Sequence, residues 1–233
     1  MKKLDVDKIY VVHYEKNRDR RSYLEPALAQ YANEVEFCTY PCREELTQEV
    51  VDRYYIYDEA GRARATRLNR DFLPHMDYGF VATTIGHFEI FKKAAKETTK
   101  NCLVLEDDTV LCQNFELFND FLRRTPTDYE AIFIGGGCDL ALQFHHRPLV
   151  PGVIAYPRTE DAGRTRSADA IIYSKGLIEK MVQRYQTFTQ PIDWELELML
   201  RELTARVYWW EPNLVVQGSG WGVYQSNFLR VWA

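Results

Sequence analysis

Short apolar runs alternate along the first half of the chain with a longer stretch whose apolar residues recur at helical spacing. Residues 8–14 (KIYVVHY), 34–40 (EVEFCTY) and 101–105 (NCLVL) each predict a buried strand, because they are short and rich in β-branched and aromatic residues. Residues 81–97 (VATTIGHFEIFKKAAKE) predict a helix with an apolar stripe, and their lysines lie toward the C-terminal end that the helix dipole favours.

The same alternation continues in the second half of the chain. Further strands are predicted at 129–137, 168–174, 205–212 and 213–219, and further helices at 114–124, 175–185 and 190–203. This order predicts an α/β fold with a mostly parallel central sheet flanked by helices. We expect one domain over 1–233. Its elaborations are a charged insertion at 43–79, with a helix near 47–57, and an aromatic C-terminal tail at 219–233.

Composition narrows the class of protein. The 233 residues are 46% hydrophobic, which is enough for a large core, and the formal net charge of −5 argues against nucleic acid as the main partner. The arginine-rich stretch 62–70 is a local exception that is better explained as a solvated face than as an anion site. Five cysteines without a C-x-x-C pair, and no apolar run long enough for a signal peptide or a membrane span, predict a reduced, cytoplasmic protein.

Three acids follow the strand at 101–105 directly: Glu106, Asp107 and Asp108. In an open α/β sheet, ligands bind beyond the carboxyl ends of the strands. If the chain stays extended, Glu106 and Asp108 point to one side and Asp107 to the other. Two neighbouring carboxylates repel each other unless a hard cation such as Mg²⁺ or Mn²⁺ joins them. A strand-end turn with solvated acids explains this stretch equally well.

An arginine-rich loop follows the first strand. Its guanidinium groups lie where they could bind the phosphates of a nucleotide: Arg18, Arg20 and Arg21. Ion pairs with Asp19 or Glu25 explain the presence of these arginines at least as well. No Gly-x-Gly-x-x-Gly or Gly-Lys-Ser/Thr pattern occurs, so neither a Rossmann dinucleotide site nor a P-loop is supported.

Five further polar residues are candidates for a functional role. Asp193 and Glu197 lie one helical turn apart, and capping electrostatics would explain Asp193 fully. His87, among apolar neighbours in the helix at 81–97, is better explained as a buried structural histidine than as a metal ligand. His145 and His146 have no metal-type partners nearby in the sequence.

Taken in chain order, these segments resemble glycosyltransferase family 25, which includes bacterial lipooligosaccharide galactosyltransferases and collagen galactosyltransferases. The matching segments are VVHYEKNRDRR at 11–21, TTIGHFEIF at 83–91, LEDD at 105–108, SADAIIYSKGLIEKM at 167–181, Pro191-x-Asp193, and PNLVVQ at 212–217. The chain departs from that pattern at His13, where the family usually has Asn, at Asn17, where it usually has Ser, and at Gly86, where it has Ser.

The resemblance implies a GT-A-type fold and an inverting transfer of a hexose from a nucleotide-sugar, UDP-linked, to a hydroxyl of a glycan or glycolipid. It implies Mn²⁺ or Mg²⁺ on Asp108 and Glu106, because a cation neutralises the charge that develops on the leaving diphosphate. It further implies donor contacts from several residues and a carboxylate base. The donor contacts are Arg20, Arg21, Glu106, Asp107 and Gln217; the base is Asp193, with Asp169 as second candidate.

Two alternatives remain open. A nucleotide- or glycan-binding module of the same fold could have lost its chemistry, although the intact acids at 106–108 disfavour it. A metal-dependent nucleotidyl or phosphoryl transferase shares the acidic strand end but usually carries a phosphate-gripping Gly-Lys pattern, so it ranks lower. A glycolipid acceptor would allow peripheral contact with a membrane.

Overall fold

A computed structural model describes residues 2–59, 76–136, 152–155 and 166–225. Seven strands form the central sheet: β1 Lys8–Val12, β2 Glu34–Cys38, β3 Asn101–Glu106, β5 Ala131–Phe133, β6 Val153–Ala155, β7 Ala170–Ser174 and β8 Val207–Trp210. Their spatial order is β2-β1-β3-β7-β5-β8-β6. Two further strands, β4 Thr109–Leu111 and β9 Val215–Gln217, pair antiparallel in a small separate sheet.

Five of the seven strands of the central sheet point in one direction. β1 runs parallel to β2 and β3, and β5 runs parallel to β8, whereas β7 is antiparallel to β3 and β5, and β6 is antiparallel to β8. The predicted α/β fold with a mostly parallel central sheet is therefore confirmed. The reversed direction of β7 matters for the site, because it brings the start of β7 to the carboxyl end of β3.

Helices cover both faces of this sheet. They are α1 Arg18–Leu28, α2 Gln48–Tyr54, α3 Tyr78–Glu97, α4 Phe118–Arg124, α5 Lys175–Arg184 and α6 Ile192–Glu202. Polar side chains begin several of them: the Asp77 carboxylate accepts from the backbone N–H groups of Gly79 and Phe80, and the Ser174 hydroxyl accepts from Leu177. The helix predicted at 114–124 is divided into a 3₁₀ turn, Gln113–Leu117, and α4.

The core has one layer on each face of the sheet, as the alternation of strand side chains requires. In β1, Tyr10 packs with α3 and α5 on one face, whereas Ile9 and Val11 pack with α1 and α4 on the other. On the first face, the ring of Phe91 meets that of Tyr173 edge-on at a centroid distance of 5.3 Å. All of these side chains are buried in the core that supports the strands.

Some predictions concern regions with less regular structure. The described part of the insertion at 43–79 contains a 3₁₀ turn, Arg43–Glu45, and the predicted helix, α2, whose Val51 is buried in the core. The strands β4 and β6 were not predicted from the sequence, because each has only three residues, too few to show an alternation of apolar and polar positions. The arginine-rich stretch 62–70, Cys138, His145, His146 and the tail beyond 225 lie outside the described residues. Within the described ranges, no helix is both long and apolar enough to span a bilayer.

Candidate functional site

A cavity of about 420 Å³ opens at the carboxyl ends of β1, β2 and β3. Its apolar walls come from Val12 at the end of β1, from Cys38 at the end of β2, and from Phe80 and Ala82 in the first turns of α3. Its size suits a small-molecule ligand. It lies at the edge of the sheet where the strand-end acids were predicted to act.

The structure brings four of the predicted acids to this cavity. Glu106 ends β3, Asp107 and Asp108 follow in the next turn, Asp193 lies in the first turn of α6, and all four line the cavity. Burial raises the pKa of Glu106 well above its usual range, and the charges of Asp108 and Asp193 raise it further. The acids are therefore not the solvated strand-end turn that was the alternative interpretation.

Asp169 lies just outside the cavity, behind these acids. Its backbone carbonyl accepts from the N–H of Glu106 at 2.9 Å, which follows from the reversed direction of β7. Its carboxylate is fully buried and has no hydrogen-bond partner in the described part of the chain. Burial, together with the charges of Asp108 and Asp193, raises the pKa of Asp169 to about 8. A Cβ at Gly135 would lie 2.9 Å from Asp169 Cγ, so this glycine makes room for the carboxylate.

Asp107 also lines the cavity, and its carboxylate binds the loop between β1 and α1. Its Oδ2 accepts from the side chains of His13 and Asn17 and from the backbone of Tyr14, each at 3.0 Å, and its Oδ1 accepts from Arg20 at 2.7 Å. Burial alone would raise the pKa of Asp107, but the bonds from His13, Arg20 and Asn17 outweigh it and lower the pKa. Two positions that depart from the family pattern, His13 and Asn17, thus share one partner, which sequence analysis missed.

The two arginines predicted to contact a nucleotide separate in the structure. Arg20 is buried and lines the cavity, with its guanidinium on Asp107. Arg21 instead pairs with Glu25 at 3.1 Å on the exposed surface of α1 and stacks on the ring of Phe37. The structure therefore does not bring Arg21 to the cavity, and the simpler interpretation of that residue, a pair with Glu25, is the one observed.

The chain after β9 closes the acidic side of the cavity. Gln217, the predicted donor contact, lines it together with Ser219 and Gly220. The hydroxyl of Ser219 donates to Oδ2 of Asp108, whereas Oδ1 of Asp108 is buried and lacks a partner among the residues described. Burial raises the pKa of Asp108, and the bond from Ser219 opposes that rise. Ser219 carries no local sequence signal for this contact.

His87 lies behind Glu106. The imidazole is fully buried, and its Nε2 lies 3.3 Å from Oε1 of Glu106. Burial lowers the pKa of His87 to about 3, so the ring is neutral near pH 7. The prediction of a buried, hydrogen-bonded histidine is confirmed. Through its contact with Glu106, His87 also positions a side chain that lines the cavity.

A divalent cation fits this site in part. Within the described ranges, no three His, Cys, Asp or Glu side chains form a ready-made cage. Mg²⁺ and Mn²⁺ in nucleotide sites commonly take one or two carboxylates and complete their shell with substrate phosphates and water. The buried, unpartnered Oδ1 of Asp108 is a suitable donor of that kind, and Glu106 lies beside it.

Comparisons with known proteins do not identify a family for this chain. No family model matches the chain, and no curated protein is similar to it. Among solved structures, the chain is similar to one described as a glycosyltransferase involved in the glycosylation of the major capsid of PBCV-1. The identity is 11% and the TM-score 0.39, over 91% of this chain and 92% of that chain. Membership of glycosyltransferase family 25 therefore stays a prediction from the motifs.

Proposed function

We propose that this chain is a metal-dependent, inverting glycosyltransferase that moves a hexose from a UDP-linked sugar to a hydroxyl of a glycan or glycolipid. The observation that carries the proposal is the convergence of Glu106, Asp108 and Asp193 on one side of a ligand-sized cavity. Asp108 is buried, and Glu106 and Asp193 are half-buried. Three such carboxylates at one place raise one another's free energy, and a bound cation would remove that repulsion. The order of motifs along the chain supports the same activity.

The cation would be held by Asp108, with Glu106 as second ligand, and by the diphosphate of the donor. When bound, it supplies a Lewis acid that neutralises the charge of the departing diphosphate. Ser219 and His87 hold these two carboxylates in place, through Asp108 Oδ2 and Glu106 Oε1. Gln217 and Arg20 are the proposed polar contacts to the donor, since both line the cavity.

Asp193 is the proposed general base. Inversion by a single displacement needs a carboxylate that draws the proton from the attacking hydroxyl. Asp193 lines the cavity and is fixed by the backbone N–H of Ala168, which donates to its Oδ1 at 2.6 Å. Burial raises the pKa of Asp193, and a higher pKa makes its carboxylate a stronger base near pH 7. Asp169, the second candidate, is fully buried behind this wall, so Asp193 is preferred.

The walls near β1 and β2 suit the uncharged part of the donor. Tyr40 and Phe80 line this part of the cavity, and Gly86 on α3 leaves it open next to Val12. A Cβ at residue 86 would lie 3.2 Å from Val12 Cγ1, which is tighter than ordinary contact. A flat heterocyclic ring can pack against such a wall, while the acids bind the cation and diphosphate at the other end.

Incubation of the protein with a panel of nucleotide-sugars and Mn²⁺ tests the proposal. Release of nucleoside diphosphate, and transfer to a hydroxyl acceptor with inverted anomeric configuration by NMR, are the expected results. A non-catalytic binding module, the alternative function, would bind a nucleotide-sugar without releasing either product. The absence of a ready-made cage of three ligands among the described residues is the observation that keeps this alternative in the test.

A further inference from the structure

Residues 217–225, here called the C-terminal loop, fold back on themselves directly beside the acids. The N–H of Trp221 donates to the carbonyl of Gln217 at 3.2 Å, and the N–H of Val223 donates to the carbonyl of Gly218 at 2.8 Å. The loop is therefore a compact, internally bonded turn. Three of its first residues, Gln217, Ser219 and Gly220, form part of the cavity wall.

This loop binds Asp108 at two points. The N–H of Gly218 donates to the backbone carbonyl of Asp108 at 2.7 Å, and the hydroxyl of Ser219 donates to its Oδ2. A carboxylate with one oxygen held in this way has a fixed plane, which leaves the buried Oδ1 as the oxygen still without a partner in the described structure.

Arg20 attaches the far end of the same loop. Its Nη2 donates to the backbone carbonyl of Gln225 at 2.8 Å, and its guanidinium lies 5.4 Å from the ring centroid of Tyr224. The Tyr224 ring packs so closely on Gly218 that a Cβ there would lie 2.6 Å from Tyr224 Cδ2. Because Nη1 of Arg20 binds Asp107, both acids after Glu106 are attached to this loop, one directly and one through Arg20.

We infer that Ser219 is a positioning residue for the proposed reaction: its hydroxyl fixes the Asp108 carboxylate so that one oxygen is presented to the cation that accompanies the nucleotide diphosphate. The inference rests on the proposed function. It assigns a role to a residue 111 positions away in the chain. Groups that orient a metal ligand in this way are commonly worth 10–100-fold in metal affinity or activity.

Three variants test this inference. Ser219→Ala removes the hydroxyl, Ser219→Thr keeps it, and Ser22→Ala removes a matched serine whose hydroxyl donates to Arg18 O at 2.7 Å on the exposed surface of α1. Calorimetry measures the affinity of each variant for Mn²⁺ in the presence of UDP, and kinetics separate KM for the donor from kcat. Thermal denaturation checks that each variant is folded.

The expected result is about tenfold or greater weakening of Mn²⁺-dependent UDP binding in Ser219→Ala, with a matching rise in KM. Ser219→Thr and Ser22→Ala should bind like the wild type. Equal affinity in folded Ser219→Ala and wild type would overturn this inference alone. Failure of the wild type to bind UDP with Mn²⁺ would overturn the proposed function, and the inference with it.

Discussion

Arg20 and Asp107 form a buried ion pair: Nη1 of Arg20 lies 2.7 Å from Oδ1 of Asp107, and each side chain is only 8% exposed. The pair joins α1 to the turn after β3, and Arg20 continues to the C-terminal loop through Gln225. All three acids after the strand line the cavity, and Asp107 is the one whose carboxylate also holds the neighbouring segments together.

Removal of one partner of this pair should be strongly destabilising. Arg20→Ala leaves Asp107 buried and deprived of its charged partner, which is expected to lower the free energy of unfolding by about 3–5 kcal/mol. Arg21→Ala is the matched control, because its pair with Glu25 is exposed and worth about 1 kcal/mol or less. Urea denaturation of both variants measures the difference. A similar decrease in the free energy of unfolding in both variants would show that the Arg20–Asp107 pair does not stabilise the fold more than an exposed pair does.

A glycine substitution tests the packing around Asp169. In Gly135→Ala the new methyl group overlaps the Asp169 carboxylate and Val215, so the free energy of unfolding should fall by about 1–3 kcal/mol. Gly176→Ala in α5 is the control, since a Cβ there meets nothing within 4 Å, and helix propensity favours alanine by about 0.5–1 kcal/mol. Urea midpoints should therefore shift in opposite directions. A neutral Gly135→Ala would contradict the described position of Asp169.

The pH dependence of stability tests the environment of Asp169. Its pKa is about 8 in the folded protein, against 3.8 for an ordinary aspartate side chain, so between these values the folded state binds a proton that the unfolded state lacks. Its contribution to stability is therefore lost as the pH rises through this window. Asp169→Asn cannot lose a proton. With a chelator present, the melting temperature of Asp169→Asn minus that of the wild type should increase between pH 5 and pH 8.5. Asp19→Asn on α1 is the control, and a pH-independent difference for Asp169→Asn would contradict the prediction.

Much of this arrangement could be predicted from local sequence, and the rest could not. The acids at 106–108 end an apolar strand, as the sequence indicates. The alternation expected of an extended chain does not reach them, because β3 ends at Glu106 and Asp107 and Asp108 lie in a turn. The partners of Asp107 lie 87 to 94 residues away, and Ser219 lies 111 residues from Asp108, so no local pattern carries these contacts. Alternation of strands and helices likewise does not reveal that β7 is reversed, which is what places Asp169 behind Glu106.

Kinetics separate the two candidate bases. Asp193→Asn retains an oxygen that can accept from Ala168, so the fold and donor binding should persist while kcat falls by about 10²–10⁴-fold. Asp169→Asn should retain most of its turnover, because that carboxylate is buried behind the cavity wall. Steady-state transfer assays, with donor affinity measured separately, check both. If Asp169→Asn is the variant that loses turnover, the role of base belongs to Asp169.

The most direct test of the central claim, that Asp108 and a divalent cation together bind the donor, is calorimetric titration of a UDP-sugar into wild type and Asp108→Asn, each with Mn²⁺ and with EDTA. The expected result is binding by the wild type with Mn²⁺ alone, and a loss of affinity of about tenfold or more in Asp108→Asn and in EDTA. Donor binding of equal strength in all four titrations would contradict it.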